Sequence, residues 1–376
     1  MKTAIAAAAV LAAVTMAALA VVKPPESLPA STNAANLART ADMSIARAAH
    51  QATVLESGEV LITGGCTGSC DSGLSSTERY EPMAQQFRPA GSMTIPRDSH
   101  LAQRLPDGRV LVAGGWSRQR ATDTAEIYDP ATDRFTSTNA MNVARAAPAS
   151  ARLSDGRILI AGGQDSELQP LASAEIFDPR SSRFSPVEPM ATPRVGHVAV
   201  TLGDGRVLVM GGRAARRGEI LASAEIFDPA TGRFQPTGSL ATPRHKHAAV
   251  LLPDGRVLVM GGSDVRDQQG RHRSTEIHDP RTGRFTPGPD MHWPRFKFPD
   301  AVATLDTGKI LVGGGARRLE IHDPATNTFS ELPGELDLAL EFATASPLPD
   351  GGVLLTGGYD DSIRTSASAW HIRMPR

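Results

Sequence analysis

The stretch Leu252–Gly262, LPDGRVLVMGG, reads as one β-strand. The turn dipeptide Asp254-Gly255 leads into the apolar run Val257–Met260, and the glycine pair Gly261-Gly262 ends it. Nearly the same eleven residues occur seven times. The other copies are LESGEVLITGG (55–65), LPDGRVLVAGG (105–115), LSDGRILIAGG (153–163), LGDGRVLVMGG (202–212), LDTGKILVGGG (305–315) and LPDGGVLLTGG (348–358). Equivalent glycines are 50, 48, 49, 50, 53 and 43 residues apart. A period of this size marks stacked supersecondary units, none of which buries its apolar face alone.

Each copy but the last is followed by a second signature: TERYEP (77–82), AEIYDP (125–130), AEIFDP (174–179 and 224–229), TEIHDP (275–280) or LEIHDP (319–324). A third follows, an aromatic six residues before Met or Leu, as in Phe135 to Met141 and Phe184 to Met190. Four short strands, a to d, account for this order. Asp-Gly, the preferred dipeptide of a two-residue hairpin, joins a to b. The DP turn joins c to d, with Pro at its second position and a later Gly, Asp or Asn free to take positive φ. With no helical periodicity, this is the pattern of a four-stranded propeller blade.

The double-glycine strand with its downstream E-x-x-D-P resembles the kelch family, the propeller of galactose oxidase included, over residues 36–376. The resemblance implies an all-β fold, a seven-bladed kelch-type β-propeller with four antiparallel strands per blade. Unit seven stops after Trp370 and His371, without a fourth strand. ANLARTADMSIAR (35–47) overlays the strand d pattern, Leu37 preceding Met43 as Phe135 precedes Met141. The N-terminal strand, about residues 36–43, is therefore expected to complete blade 7 and remove the open seam.

Upstream, Lys2, the apolar run Ala4–Val22 and Ala18-Leu19-Ala20 read as a signal peptide over residues 1–20, with an uncleaved anchor as the alternative. Residues 21–35 read as a linker. A periplasmic or secreted protein, monomeric and free of the membrane after signal removal, is the expectation. In that setting Cys66 and Cys70 read as a disulfide; a metal site would need more ligands than CTGSC supplies. With 39 basic and 40 acidic residues, no global field favours nucleic acid. Five lysines leave 34 arginines, a bias that codon usage and anion binding both explain.

Fourteen residues before each glycine pair stand His50, His100, Pro148, His197, His247, Asp300 and Ala343. Three residues earlier come Arg47, Arg97, Arg145, Arg194, Arg244, Lys297 and Leu340. These residues either ring the channel as a metal or anion site, or they are structural. Strand c offers Glu78, Glu126, Glu175, Glu225, Glu276 and Glu320, but Ser368 in unit seven. Unit seven thus lacks both charges, as expected if arginine and glutamate pair within a blade: Arg97 with Glu126, Arg145 with Glu175, Arg194 with Glu225, Arg244 with Glu276. No catalytic residue is assigned and no metal or cofactor is expected. Galactose oxidase chemistry would need two tyrosine ligands, two histidines and a thioether cysteine. Here Tyr80 and Tyr128 fill ordinary strand c slots, and both cysteines lie in CTGSC.

Variation concentrates in the b–c loops and d–a connections of one face, where a rigid scaffold carries function. Units four to six supply Arg213, Arg216, Arg217, Arg266, Arg271, Arg273, Arg317 and Arg318 against Glu219, Asp264 and Asp267, with His292 and Trp293 beside them and Tyr359 in the last loop. Arginines near aromatics suit an acidic glycan, guanidinium clamping the anion while a ring stacks on the sugar. A protein partner fits the same face. The alternatives are loops whose charges pair among themselves, or a carbohydrate-active enzyme, epimerase or lyase, with His272, His292 or Tyr359 as base.

Overall fold

The structure, a computed structural model, describes residues 36–374 except 69, 71 and 72. The expected signal peptide and linker lie outside the described residues. Seven four-stranded antiparallel sheets follow one another along the chain. Blade 1 comprises Gln51–Val54, Val60–Thr63, Thr77–Glu81 and Gln86–Ala90 from the inside outward, and blades 2 to 6 repeat that meander. Blade 7 takes three strands from the C-terminal end, Thr344–Pro347, Val353–Thr356 and Ala369–Ile372. Its fourth is Leu37–Arg39, paired Leu37 with Ile372 and Arg39 with Trp370. The chain ends are thereby zipped into one sheet. Inner strands of successive blades touch in ring order, the first against the last.

Strand b is buried at every position in all seven blades, so its continuous apolar run is a requirement of two-sided packing and not of alternation. Strands c and d close the outer core with tilted ring pairs, Tyr80 on Phe87 at 4.9 Å and Phe177 on Phe184 at 4.8 Å. In blade 7 Ile372 and Leu37 occupy that pair of positions.

The a–b connection differs from the expected two-residue hairpin. In Leu105–Arg109 the Gly108 N–H donates to the Leu105 carbonyl at 3.1 Å, and the Leu105 N–H donates to the Arg109 carbonyl at 2.7 Å. Only Gly108 takes positive φ, 84°. This is a type I turn closed by a glycine bulge, a three-residue loop. Pro106, with φ fixed near −65°, fits the first turn position and could not enter the mirror-image turn.

The glycine pair has two separate causes. A Cβ on Gly211 would stand 2.7 Å from the His247 ring of the following blade, and one on Gly163 would stand 2.6 Å from the Ala146 carbonyl oxygen. Both positions also carry positive φ. The first glycine is crowded by the following blade and the second by the incoming chain of its own blade.

Candidate functional site

The recurring arginines sit at the seams between blades. Each is wholly buried, and its carbonyl accepts the N–H of the second glycine from the preceding blade: Gly65 to Arg97 at 2.9 Å, Gly163 to Arg194 at 3.0 Å. Its guanidinium turns into its own blade, donating to the first-glycine carbonyl and to the strand c glutamate. The ion-pair distances are 2.8 Å for Arg47–Glu78, 3.1 Å for Arg97–Glu126 and Arg145–Glu175, 2.8 Å for Arg194–Glu225 and 3.0 Å for Arg244–Glu276. The same carboxylates accept backbone N–H groups from the incoming connection, as Glu126 does from Thr94 at 2.7 Å. Seam residues of this kind hold blades together.

Two assignments made by spacing alone shift. In blade 6 the pair is Arg295–Glu320 at 2.8 Å, while Lys297 pairs with Glu341 at 2.9 Å. Pro299 and Asp300 form an extra turn, closed by the Ala301 N–H on the Phe298 carbonyl, so Phe298 takes the place counted to Asp300. In blade 7 strand pairing puts Trp370, not Ser368, at the glutamate position. Trp370 and Leu340 share one buried apolar cluster there.

The histidines do not ring the channel as free ligands. His50 and His197 are buried with pKa values pushed down to about 3, by burial first and by Arg47 or Arg194 second. His50 reaches Thr344 of the adjoining blade at 3.0 Å, and His100 reaches Thr63 at 2.9 Å.

Two residues beyond each seam arginine, the chain turns through left-handed backbone toward the axis. The seven residues are Ala49, Ser99, Ala147, Gly196, Lys246, Lys297 and Phe342, with φ between 49° and 67°. Backbone hydrogen bonds link neighbours around the axis: Ser99 to Ala49, Ala147 to Ser99, Lys246 to Gly196, Lys297 to Lys246 and Phe342 to Lys297. Blades 1 to 4 contribute small residues; blades 5 to 7 contribute two lysines and a phenylalanine. This ring bounds a cavity of about 680 Å³ at the loop-face mouth of the channel, also lined by Trp116, Arg213, Arg216, His245 and Asp267. Smaller depressions on the opposite face are lined by paired charges such as Asp155 and Arg157.

At the mouth, Lys297 is committed to Glu341 and lies over the rings of Tyr359 at 5.0 Å and Phe296 at 5.3 Å. The Lys246 ammonium has no ion-pair partner among the described residues. It lies 5.4 Å from the Phe296 ring centroid and 5.9 Å from that of Phe342. Burial, then the neighbouring Lys297 charge, lower its pKa to about 8. His245 is buried against Phe296, its Nε2 3.2 Å from Asp267 Oδ1, and burial lowers its pKa to about 4.

The arginines singled out from the loops are only partly gathered here. Arg213 lines the cavity with Asp267 3.7 Å away, and Arg216 lines it too; Arg217 is exposed. The rest find carboxylates that lie far off in sequence: Arg271 with Asp361 at 3.3 Å, Arg273 with Asp290 at 3.3 Å, Arg317 with Glu335 at 3.4 Å, and Arg318 with Glu335 at 2.8 Å. Arg266 pairs with Asp264 at 2.6 Å. Trp293 carries Arg318 over its ring at 5.6 Å, and His292 contacts Glu320 at 3.0 Å. Tyr359 packs on Phe342, so the three suggested bases, His272, His292 and Tyr359, have separate surroundings.

Sequence reasoning missed His245, Lys246, Glu341 and Phe342. The signal was available: the second residue after each seam position is small in four copies and large in three.

No helix among the described residues is long and apolar enough to cross a membrane. Cys66 and Cys70 are joined in a disulfide within the first b–c loop. Among the described residues no three His, Cys, Asp or Glu side chains converge to hold a metal ion.

The Kelch motif model matches residues 106–142, 145–191, 193–240 and 244–292. No curated protein matches the chain. Among solved structures, a fungal alcohol oxidase of the AA5 family, in complex with copper, aligns with a TM-score of 0.69 at 17% identity. The alignment covers 90% of this chain and 76% of that one, a likeness of fold alone. A copper site of the galactose oxidase kind does not fit here: Tyr80 and Tyr128 are buried in outer ring pairs, Tyr359 faces Lys297, and the cysteines are bonded to each other.

Proposed function

We propose, from the premise that the chain is a kelch-repeat β-propeller, that it is a binding module whose loop-face channel mouth receives an acidic group of a glycan. The observation that carries this reading is the cavity mouth itself, where Arg213, Arg216 and Lys246 line one space of about 680 Å³ with Asp267, and Lys246 forms no ion pair among the described residues. Guanidinium and ammonium donors in a partly desolvated cavity favour carboxylate or sulfate, and Trp116 at the rim offers a ring for a sugar face. The disulfide and the export-like N-terminus suit work outside the reducing cytosol, in the periplasm or beyond.

Calorimetric titration of the protein with acidic and neutral oligosaccharides of equal length tests this. Binding confined to the acidic series should weaken with salt and fall at least tenfold, about 1.4 kcal/mol, in Arg213→Ala/Arg216→Ala. Equal affinity for neutral chains overturns the reading. Binding to neither, with a protein retained on the same face and lost on the same substitutions, moves the function to a protein partner.

A further inference from the structure

The mouth of the channel holds one amine whose setting differs from every other described lysine. Lys309 is exposed and ion-paired to Asp323 at 3.0 Å, and Lys297 is held by Glu341. Lys246 projects from a left-handed residue fixed in the ring, its N–H bonded to Gly196 and its carbonyl to Lys297. The rings of Phe296 and Phe342 flank it, and its second cationic neighbour, Lys297, disfavours a further positive charge. Arg213 and Arg216 line the same cavity with Asp267, 3.7 Å from Arg213; the Asp267 and Glu341 carboxylates favour the charged amine, while burial, Lys297 and Arg213 oppose it. Beside it, the buried His245 places Nε2 3.2 Å from Asp267 Oδ1, so the two polar groups of that wall face each other.

We infer that Lys246 is a carbonyl-capturing amine, condensing with the aldehyde or ketone of a small acid whose carboxylate rests on Arg213 and Arg216. This rests on the acidic-ligand reading for the carboxylate, but not for the amine. The neutral amine adds to the carbonyl carbon, forming a C–N bond while the C=O π pair moves to oxygen and takes a proton. The carbinolamine then loses water and the nitrogen loses a proton, leaving an imine. No electrons are exchanged with any third party. A desolvated lysine beside another cation is the setting in which an amine stays neutral enough to attack near neutral pH. With a pKa of about 8 it is uncharged far more often at neutral pH than an ordinary lysine, whose value is about 10.4.

The test is reductive trapping of the intact protein with glyoxylate and cyanoborohydride, followed by peptide mapping. One carboxymethyl group should map to Lys246, formed about tenfold faster at neutral pH than on Lys309, with a rate that rises through pH about 8. Lys246→Arg, which keeps the charge but has no amine that condenses with a carbonyl, should abolish that label while Lys309 keeps its own slow labelling. Glycolaldehyde, the same carbonyl without a carboxylate, separates the two readings. If it labels Lys246 as fast as glyoxylate does, the reactive amine stands and the anion clamp falls. If neither aldehyde prefers Lys246 over Lys309, the inference is overturned whatever the oligosaccharides do.

Discussion

Six seams between blades carry a buried arginine and glutamate, and the seventh carries leucine and tryptophan. The backbone bond across the seam is the same in both: the Gly315 N–H donates to the Leu340 carbonyl at 2.8 Å just as Gly65 donates to Arg97 at 2.9 Å. What the arginine adds is a side-chain bridge to its own blade's glycine carbonyl and glutamate, as in Arg97 to Gly114 at 2.7 Å. Blade 7 replaces that bridge by burying Trp370 and Leu340 with Leu37 and Leu336 in one apolar cluster. The difference teaches that the ion pair is one of two ways to fill the seam, each valid only as a complete set. A buried pair is seldom better than well-packed apolar residues, but half of one leaves an uncompensated charge.

The largest effect should come from mixing the two solutions. Trp370→Glu puts a carboxylate into the apolar seam and removes a large buried ring where the chain ends are zipped together. We expect a loss of about 5 kcal/mol in urea-unfolding free energy. Adding Leu340→Arg should recover part of it, and a cost below about 1 kcal/mol for the single change would show that this seam tolerates charge without a partner.

The mirror experiment is smaller. Arg194→Leu strands Glu225 in blade 4 and should cost about 3–5 kcal/mol, whereas Arg194→Leu/Glu225→Trp should cost less than the single change. If the double variant is no more stable than the single one, the apolar solution depends on the closing strand Leu37–Arg39 and does not transfer.

Blade 6 supplies the third comparison, since Phe298 occupies the place that His197 and His50 take elsewhere. Those histidines are neutral in the fold, with pKa values of about 3 against the unfolded 6.5. The unfolded chain therefore binds protons first. Their contribution is full above pH about 6.5 and is lost as pH falls toward about 3. His197→Phe should flatten the stability profile by about 2 kcal/mol between pH 7 and pH 5, read from urea midpoints at each pH. An unchanged slope would mean that the buried ring is already charged in the folded protein.

These seams also show how far the sequence could be read. Repeat count, strand order, blade closure through Leu37 and the arginine–glutamate partnership all follow from spacing, because each unit repeats one set of contacts and the spacing records it. Spacing failed where units were not equivalent. The extra turn at Pro299–Asp300 moved the blade 6 arginine from Lys297 to Arg295, and the length of the last b–c loop moved the blade 7 position from Ser368 to Trp370. The loop arginines outnumber the acids of their own loops because Glu335, Asp361 and Asp290 lie in other segments, and only the fold brings them within reach.

By itself, then, the sequence determined the architecture. Seven copies of a strand flanked by a turn and a glycine pair have one efficient way to bury their apolar runs, which is to stack in a ring and close it with the N-terminal strand. The tertiary structure decided which charges remain free. Ion pairing at the loop face depends on distances between segments from different blades. The unpartnered amine of Lys246 exists only because Glu341 is spent on Lys297 and the Phe296 and Phe342 rings fill the space around it.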